Sequence, residues 1–270
     1  MSKHYTSLIS LGFGKFAGAS FFPLLQYMVN SSYISLMGLD MSEFGKPCDY
    51  KSLNKLFTRP LNTPRQMPED SSIIISPADS LVSDYGTIED GKAYQIKGMS
   101  YLLDELLGSE YSSEGLEGGA YINLYLSPKD YHRYHMPMDM SIKSLTHIPG
   151  KLYPVNFPLL KNKKNLFIEN ERVVIECEDS SGNIHFLVLV GALNVGKMVV
   201  VFEPAVNTNS DITKPRHYTY EDLNLKRGEL LGWFEMGSTV LMFSPKGTTL
   251  SEVAINQKVR FAQKIASRID

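Results

Sequence analysis

Apolar residues are distributed along this chain in two textures. Between positions 8 and 29 the chain is rich in Leu, Phe, Ala and Gly, and Lys15, Pro23 and Gln26 break the run. A spanning helix needs about 20 mostly apolar residues with few breaks, and this stretch falls short. A signal peptide would show an uninterrupted apolar core and a small-residue cleavage site, and neither is clean here. Two readings stay open: a helical pair packed on the body of the protein, or a segment lying in a membrane interface. Leu53, Leu56 and Phe57 have the i, i+3, i+4 spacing of one buried helical face, which Pro60 stops. Residues 1–60 therefore read as helical.

From Ser71 onward the texture changes. The pattern predicts short strands over Ile73–Ile75, 121–126, 173–176, 186–190 and 198–202, all rich in β-formers, with turn signals such as Ser181-Gly182-Asn183 between them. One helix is predicted over 101–107. Leu102, Leu103, Leu106 and Leu107 form its stripe, and Gly108 is placed to end it. No repeat, low-complexity tract or obvious linker appears. The reading is an α+β protein: a helical region of residues 1–60, then a mostly antiparallel, β-rich body of residues 61–270.

Composition changes this picture little. Apolar content of 43% with 21% charged residues suits a globular protein and argues against extended disorder. A formal net charge of −2 gives no global attraction for nucleic acid or an anionic membrane. Cys48 and Cys177 are the two cysteines, too few for a disulfide framework.

Three segments carry candidate chemistry. Ser76-Pro77-Ala78-Asp79 follows one predicted strand. Ser127-Pro128-Lys129-Asp130-Tyr131-His132-Arg133-Tyr134-His135-Met136-Pro137 follows another. Gly232-Trp233-Phe234-Glu235-Met236-Gly237-Ser238-Thr239 lies near the C-terminus. Asp79 alone could cap a turn, and Gly237-Ser238-Thr239 alone could be one. His132 and His135 could ligate a metal, but no third ligand presents itself in a Cys cluster or an HExxH pattern, so no metal is expected. Asp79, His135 and Ser238 together permit a nucleophilic triad. A serine hydrolase is thus one reading, although Ser238 lacks the G-x-S-x-G elbow. A non-enzymatic membrane-binding module is another.

The three segments together resemble the phosphatidylserine decarboxylase family. The Met236-Gly237-Ser238-Thr239 run is similar to its Leu-Gly-Ser-Thr-type site, and the 125–137 run to its histidine signature. Phe57-Thr58-Arg59, His147-Ile148-Pro149-Gly150 with Val155-Asn156, Asn170-Glu171-Arg172-Val173 and Gly191-Ala192 with Val195-Gly196 fit as well. The likeness runs in register over roughly 50–262. Met236 departs from the commoner Leu, Ser80 stands where a Gly usually follows the aspartate, and Ala262 sits where a Gly is frequent.

The resemblance implies a proenzyme that cuts itself between Gly237 and Ser238. It implies His135 as general base on Ser238, with Asp79 orienting the imidazole, and a covalent pyruvoyl cofactor made from Ser238. That group would take phosphatidylserine as a Schiff base and release carbon dioxide and phosphatidylethanolamine. His132 is nominated for the decarboxylation stage. Arg133 is either a carboxylate or phosphate contact or an exposed structural arginine. The implied partners are phosphatidylserine in a bilayer and the two cut chains for each other; a homodimer is left open, and nucleic acid is not expected. The implied location is peripheral, on the cytoplasmic side of the cell membrane. Two segments could make that contact: the apolar stretch with Phe21, Phe22, Leu24, Leu25 and Tyr27, and Leu159-Leu160 followed by Lys161, Lys163 and Lys164. For the latter, core leucines with solvated lysines is the alternative.

Overall fold

The computed structural model describes residue 12 and residues 14–96, 99–155, 157–193, 197–235, 238–251 and 253–268. Helices α1 (Pro23–Met37) and α2 (Leu53–Phe57) lie in the N-terminal part, joined through a 3-10 turn at Pro47–Asp49. Pro at the start and Gly38 at φ 64° bracket α1. Ser52 caps α2 by accepting from the Lys55 N–H. Sixteen strands follow among the described residues: β1 (Ile73–Ile75), β2 (Ser80–Thr87), β3 (Lys92–Ile96), β4 (Met99–Leu102), β5 (Ala120–Leu126), β6 (Arg133–His135), β7 (Met140–Ile148) and β8 (Arg172–Glu178). Then come β9 (Ile184–Val190), β10 (Met198–Val200), β11 (Arg216–Leu225), β12 (Leu230–Phe234), β13 (Ser238–Ser244), β14 (Thr248–Leu250), β15 (Lys258–Val259) and β16 (Lys264–Arg268).

The main sheet has eight antiparallel strands in the order β11-β7-β8-β9-β13-β5-β2-β15. Smaller sheets are β1-β16-β14, β10-β12-β6 and the β3-β4 hairpin. The α+β expectation therefore holds. Strand β13 reads Ser-Thr-Val-Leu-Met-Phe-Ser, a continuous run that suits burial on both faces, and every residue of it is buried. It pairs with β5 on one side and β9 on the other, in the middle of the sheet. Only Glu235, Met236 and Gly237 separate it from β12, which belongs to a different sheet.

Gly232 in β12 is fixed by close approach. A Cβ there would collide with the Val199 carbonyl oxygen and with the Tyr134 ring and hydroxyl.

Two sequence expectations need correcting. The helix expected over 101–107 begins at Leu103, because Tyr101 and Leu102 pair with Ala93 and Lys92 in the β3-β4 ladder. Leu102 is consequently exposed and leaves the stripe. The strand expected over 198–202 ends at Val200, where the chain turns.

Candidate active site

Asp79, the two histidines and Ser238 stand at one end of three neighbouring strands. Asp79 immediately precedes β2, the 127–135 segment leaves β5, and Ser238 opens β13. Leu81 of β2 pairs with Tyr125 of β5, and Leu126 of β5 pairs with Ser238. Adjacent strands lie about 4.8 Å apart, so the two steps from β2 to β13 span about 10 Å. The His135 N–H donates to the Pro77 carbonyl at 2.9 Å, which ties the base-bearing segment to the one carrying Asp79.

Ser238 Oγ is buried and has no hydrogen-bond partner among the described residues; the same is true of Thr239 Oγ1 and His132 Nε2. Buried hydroxyls are ordinarily bonded, and leaving one without a partner costs about 1–3 kcal/mol. Two such hydroxyls at the head of β13, and a third unpartnered atom on the segment that leaves β5, mark polar positions rather than ordinary core. Gly237, on the other side of the proposed cut, lies outside the described residues.

His135 is held at both nitrogens. Nδ1 donates to the Gly228 carbonyl at 2.9 Å, which fixes the tautomer and leaves Nε2 to accept from the Tyr131 hydroxyl at 2.9 Å. Its ring stacks on Phe261 with centroids 3.8 Å apart. Burial pushes its pKa down to about 4, so the imidazole is neutral at pH 7. Burial also raises Tyr131 to about 12, which keeps that hydroxyl a donor.

Asp79 does not bond to His135. Its carboxylate accepts from both terminal nitrogens of Arg65 and, at 2.8 Å, from the Phe261 N–H. Burial works against the charge on Arg65, but Asp79 and Glu43 outweigh it and raise its pKa. Asp79 thus reaches the imidazole in two ways. It positions the Phe261 ring on which His135 stacks, and it offsets the Arg65 charge nearby. The direct Asp79–His135 contact expected from the triad reading is absent among the described residues.

His132 is fully buried, with its ring 4.0 Å from that of Phe57. Nδ1 donates to the Asp130 carbonyl at 2.8 Å, and burial lowers its pKa to about 3. It is therefore a neutral imidazole with its Nε2 lone pair in a dry space.

Residues that the sequence left unassigned complete the surroundings. Tyr131, four positions before His135 in the same motif, supplies the hydroxyl on Nε2. Arg65 and Phe261 are reached only by folding. Ala262, next to Phe261, has φ 76°, in the left-handed region that glycine enters freely. This accounts for the glycine that the resemblance would place there. Ser80, by contrast, is an ordinary strand residue opposite Val259, and its backbone makes no demand for glycine.

A second Ser-His-Asp constellation has tighter geometry. His185 Nδ1 lies 3.1 Å from Ser244 Oγ, and Nε2 lies 2.9 Å from Asp179 Oδ2. Yet Arg268 neutralises Asp179, burial lowers His185 to about 4, and the void beside it holds about 10 Å³. A substrate has no room there, so this cluster is structural: it bonds the far end of β13 and β16 to the turn between β8 and β9.

A sealed serine at the head of a central strand, with two neutral histidines and a braced carboxylate on the segments that adjoin its neighbouring strands, is a set of groups suited to acyl transfer at a serine hydroxyl. The family profile described as phosphatidylserine decarboxylase matches residues 53–267, and the chain belongs to that family. It is 43% identical to the phosphatidylserine decarboxylase proenzyme of Campylobacter jejuni, over 94% of this chain and 96% of that protein. It is 39% identical to the proenzyme of the same name from Helicobacter pylori, over 96% of each chain. With that of Nitrosococcus oceani the identity is 37%, over 86% of this chain and 78% of the relative.

Proposed function

We propose that this chain cuts itself between Gly237 and Ser238 and then decarboxylates phosphatidylserine. The observation that carries the reading is the buried, unpartnered Ser238 hydroxyl at the first position of a central strand. Ser238 Oγ adds to the Gly237 carbonyl carbon and the amide C–N bond breaks, which moves the acyl group from nitrogen to oxygen. His135, neutral and with its tautomer fixed by Gly228, takes the hydroxyl proton after Nε2 exchanges Tyr131 for the serine. Loss of the Cα proton at 238 then expels the Gly237 carboxylate. The enamine left behind tautomerises, takes up water and releases ammonia, leaving a pyruvoyl group at the head of residues 238–270.

The surroundings fit such a group. Thr239 Oγ1 and His132 Nε2 are buried polar atoms with spare bonding capacity, and pairing of Thr239 with Tyr125 and Val190 would hold its base. When present, it supplies an electron sink for the pair released as carbon dioxide leaves. His132 would then deliver a proton to the product carbon. A substrate carboxylate within about 4–6 Å would raise its depressed pKa and charge it for that step.

Mass measurement under denaturing conditions, with assay of carbon dioxide release, tests the proposal. Two chains split after Gly237 and turnover of phosphatidylserine are expected. A single intact chain that is active would overturn it. One observation favours a second assignment of the base. His132 Nε2 and Ser238 Oγ are both unpartnered and buried, so His132 could take the proton in the cut; variants of the two histidines decide this.

Contact with the bilayer belongs to the same reading, since no described helix is long and apolar enough to cross a membrane. Helix α1 is built inside out. Its buried positions are Gln26 and Asn30, bonded to each other, with Asn30 also donating to the Pro47 and Tyr50 carbonyls. Leu24, Met28 and Leu36 are exposed, Leu36 by 84%. Polar residues facing the protein and apolar ones facing out suit a surface resting on lipid at the cytoplasmic face of the membrane. The 159–164 segment, which begins in the short helix Phe157–Asn162, suits it less. Leu160 is buried and Lys163 pairs with Glu169 at 2.7 Å. Each large apolar side chain taken out of water contributes about 1.5–3 kcal/mol. Changing Leu24, Met28 and Leu36 to Asn should therefore weaken sedimentation with anionic vesicles by at least about tenfold, at low and high salt alike. Unchanged sedimentation would remove α1 as the contact.

A further inference from the structure

Between the N-terminal helices and the β6-β12 pair lies a cleft of about 480 Å³. Tyr50, Lys51, Lys55 and Thr58 line one side, and Arg133 and Trp233 the other. Asp49 is also there, but its carboxylate already accepts from the Lys46 N–H at 2.7 Å. Three cations therefore face one engaged carboxylate. Arg133 is fixed at two points: Nε donates to the Thr58 carbonyl at 3.0 Å, and its guanidinium sits 5.7 Å from the centre of the Trp233 ring. Its terminal nitrogens, and the amines of Lys51 and Lys55, have no bonding partner among the described residues.

The cleft lies between two features already described. Its outer wall adjoins the 47–50 turn, whose carbonyls hold Asn30 and so the apolar face of α1. Its inner wall backs onto His132. Thr58 follows Phe57, whose ring lies tilted against that of His132; Arg133 is the next residue; and Trp233 precedes Phe234, whose N–H donates to the His132 carbonyl at 2.9 Å. Apolar face, cation cleft and reactive site thus follow one another in the order in which a glycerophospholipid presents acyl chains, phosphate and head amine. A planar guanidinium with free terminal nitrogens suits two oxygens of one phosphate, lysines add point charge, and an indole suits the boundary between lipid and water.

We infer that this cleft binds the phosphodiester of the glycerophospholipid substrate, through Arg133, Lys51 and Lys55, with Trp233 as its wall. The inference rests on the decarboxylase reading and extends it to the recognition of the phosphate. Trp233 is the only tryptophan in the chain, so its fluorescence reports on the cleft directly.

The test uses the self-cut protein, titrated separately with glycerophosphoserine and with inorganic phosphate, and assayed on a soluble short-chain phosphatidylserine. Glycerophosphoserine should change Trp233 emission saturably. The variant Lys51→Gln/Lys55→Gln/Arg133→Gln should bind it at least about tenfold more weakly and show KM raised by a similar factor. Its kcat should stay within about twofold and its self-cleavage should be complete, because none of the three residues touches Ser238. Should the triple variant misfold, Lys51→Gln/Lys55→Gln alone, at two exposed positions, should still raise KM and flatten its salt dependence. Unchanged KM and unchanged titration in the variants would overturn the inference. So would saturation by inorganic phosphate with neither binding nor competition by the glycerophosphodiester. A parent protein that releases no carbon dioxide overturns the decarboxylase reading instead, while the Trp233 titration still reads the cleft.

Discussion

Ser238→Ala is expected to yield one uncut polypeptide with no decarboxylase activity. No hydroxyl remains to attack Gly237, and no other route to a carbonyl at position 238 exists. The substitution is structurally mild. Ser238 is fully buried, its Oγ has no partner, and alanine keeps the backbone pairing to Leu126. Removing an unpartnered buried hydroxyl should leave stability unchanged or slightly raised. The loss of activity should therefore accompany a thermal midpoint no lower than that of the self-cut parent. Denaturing mass measurement and a melting curve check both halves. Two chains in the alanine variant would remove Ser238 as the nucleophile.

The second large effect separates the histidines. His135→Ala should slow the cut by about 10²–10⁴-fold, the usual contribution of one positioned acid or base. Asp79→Ala should slow it as well, by an indirect path. Without the carboxylate, Phe261 loses the acceptor for its N–H, and the Arg65 charge is left with Glu43 as its one remaining ion-pair partner, near an imidazole that must accept a proton. His132→Ala should cut to completion yet decarboxylate about 10²–10⁴-fold more slowly. The pH profile adds a check. His135 must be neutral to act, and its pKa is depressed to about 4, so the cut should stay independent of pH well below the ordinary imidazole value of 6.5. It should fail only as pH approaches the depressed value. Time courses of cutting and of carbon dioxide release, across pH, measure all three. If His132→Ala stalls the cut and His135→Ala does not, the base is His132.

Much of the site was legible because its chemistry is local in the chain. The Asp130–His135 run and the Gly237-Ser238-Thr239 run each combine reactive side chains with the turn residues that present them. Strands such as Ile73–Ile75 and β9 were legible because burial on both faces demands a continuous apolar run. Strand β11 escaped because it alternates exposed and half-buried residues at the edge of the sheet, where composition resembles a loop. The brace on Asp79 escaped for another reason. Arg65 and Phe261 belong to no motif, and only the pairing of β2 with β15 brings Phe261 to that carboxylate. Tyr131 was in view within the motif, but its role depends on which His135 nitrogen Gly228 occupies, and that is a tertiary fact.

The place of β13 in the middle of the main sheet has a consequence for the history of the molecule. Cys48 and Cys177 both precede the proposed cut, so no disulfide can join residues 238–270 to the rest. Residues 238–268 are held by strand pairing of β13 to β5 and β9, by β15 on β2, by β16 on β1, and by the Asp179–Arg268 ion pair. Covalent continuity is thus needed once, to bring β13 between its neighbours as an intramolecular event. After the cut the same insertion would be second order, with a central strand supplied from solution and two exposed strand edges waiting for it. On the proposed reading the cut protein would be a kinetically preserved state: its lifetime would be set by the barrier to unfolding, and a molecule that unfolded would have lost the tether that assembled it.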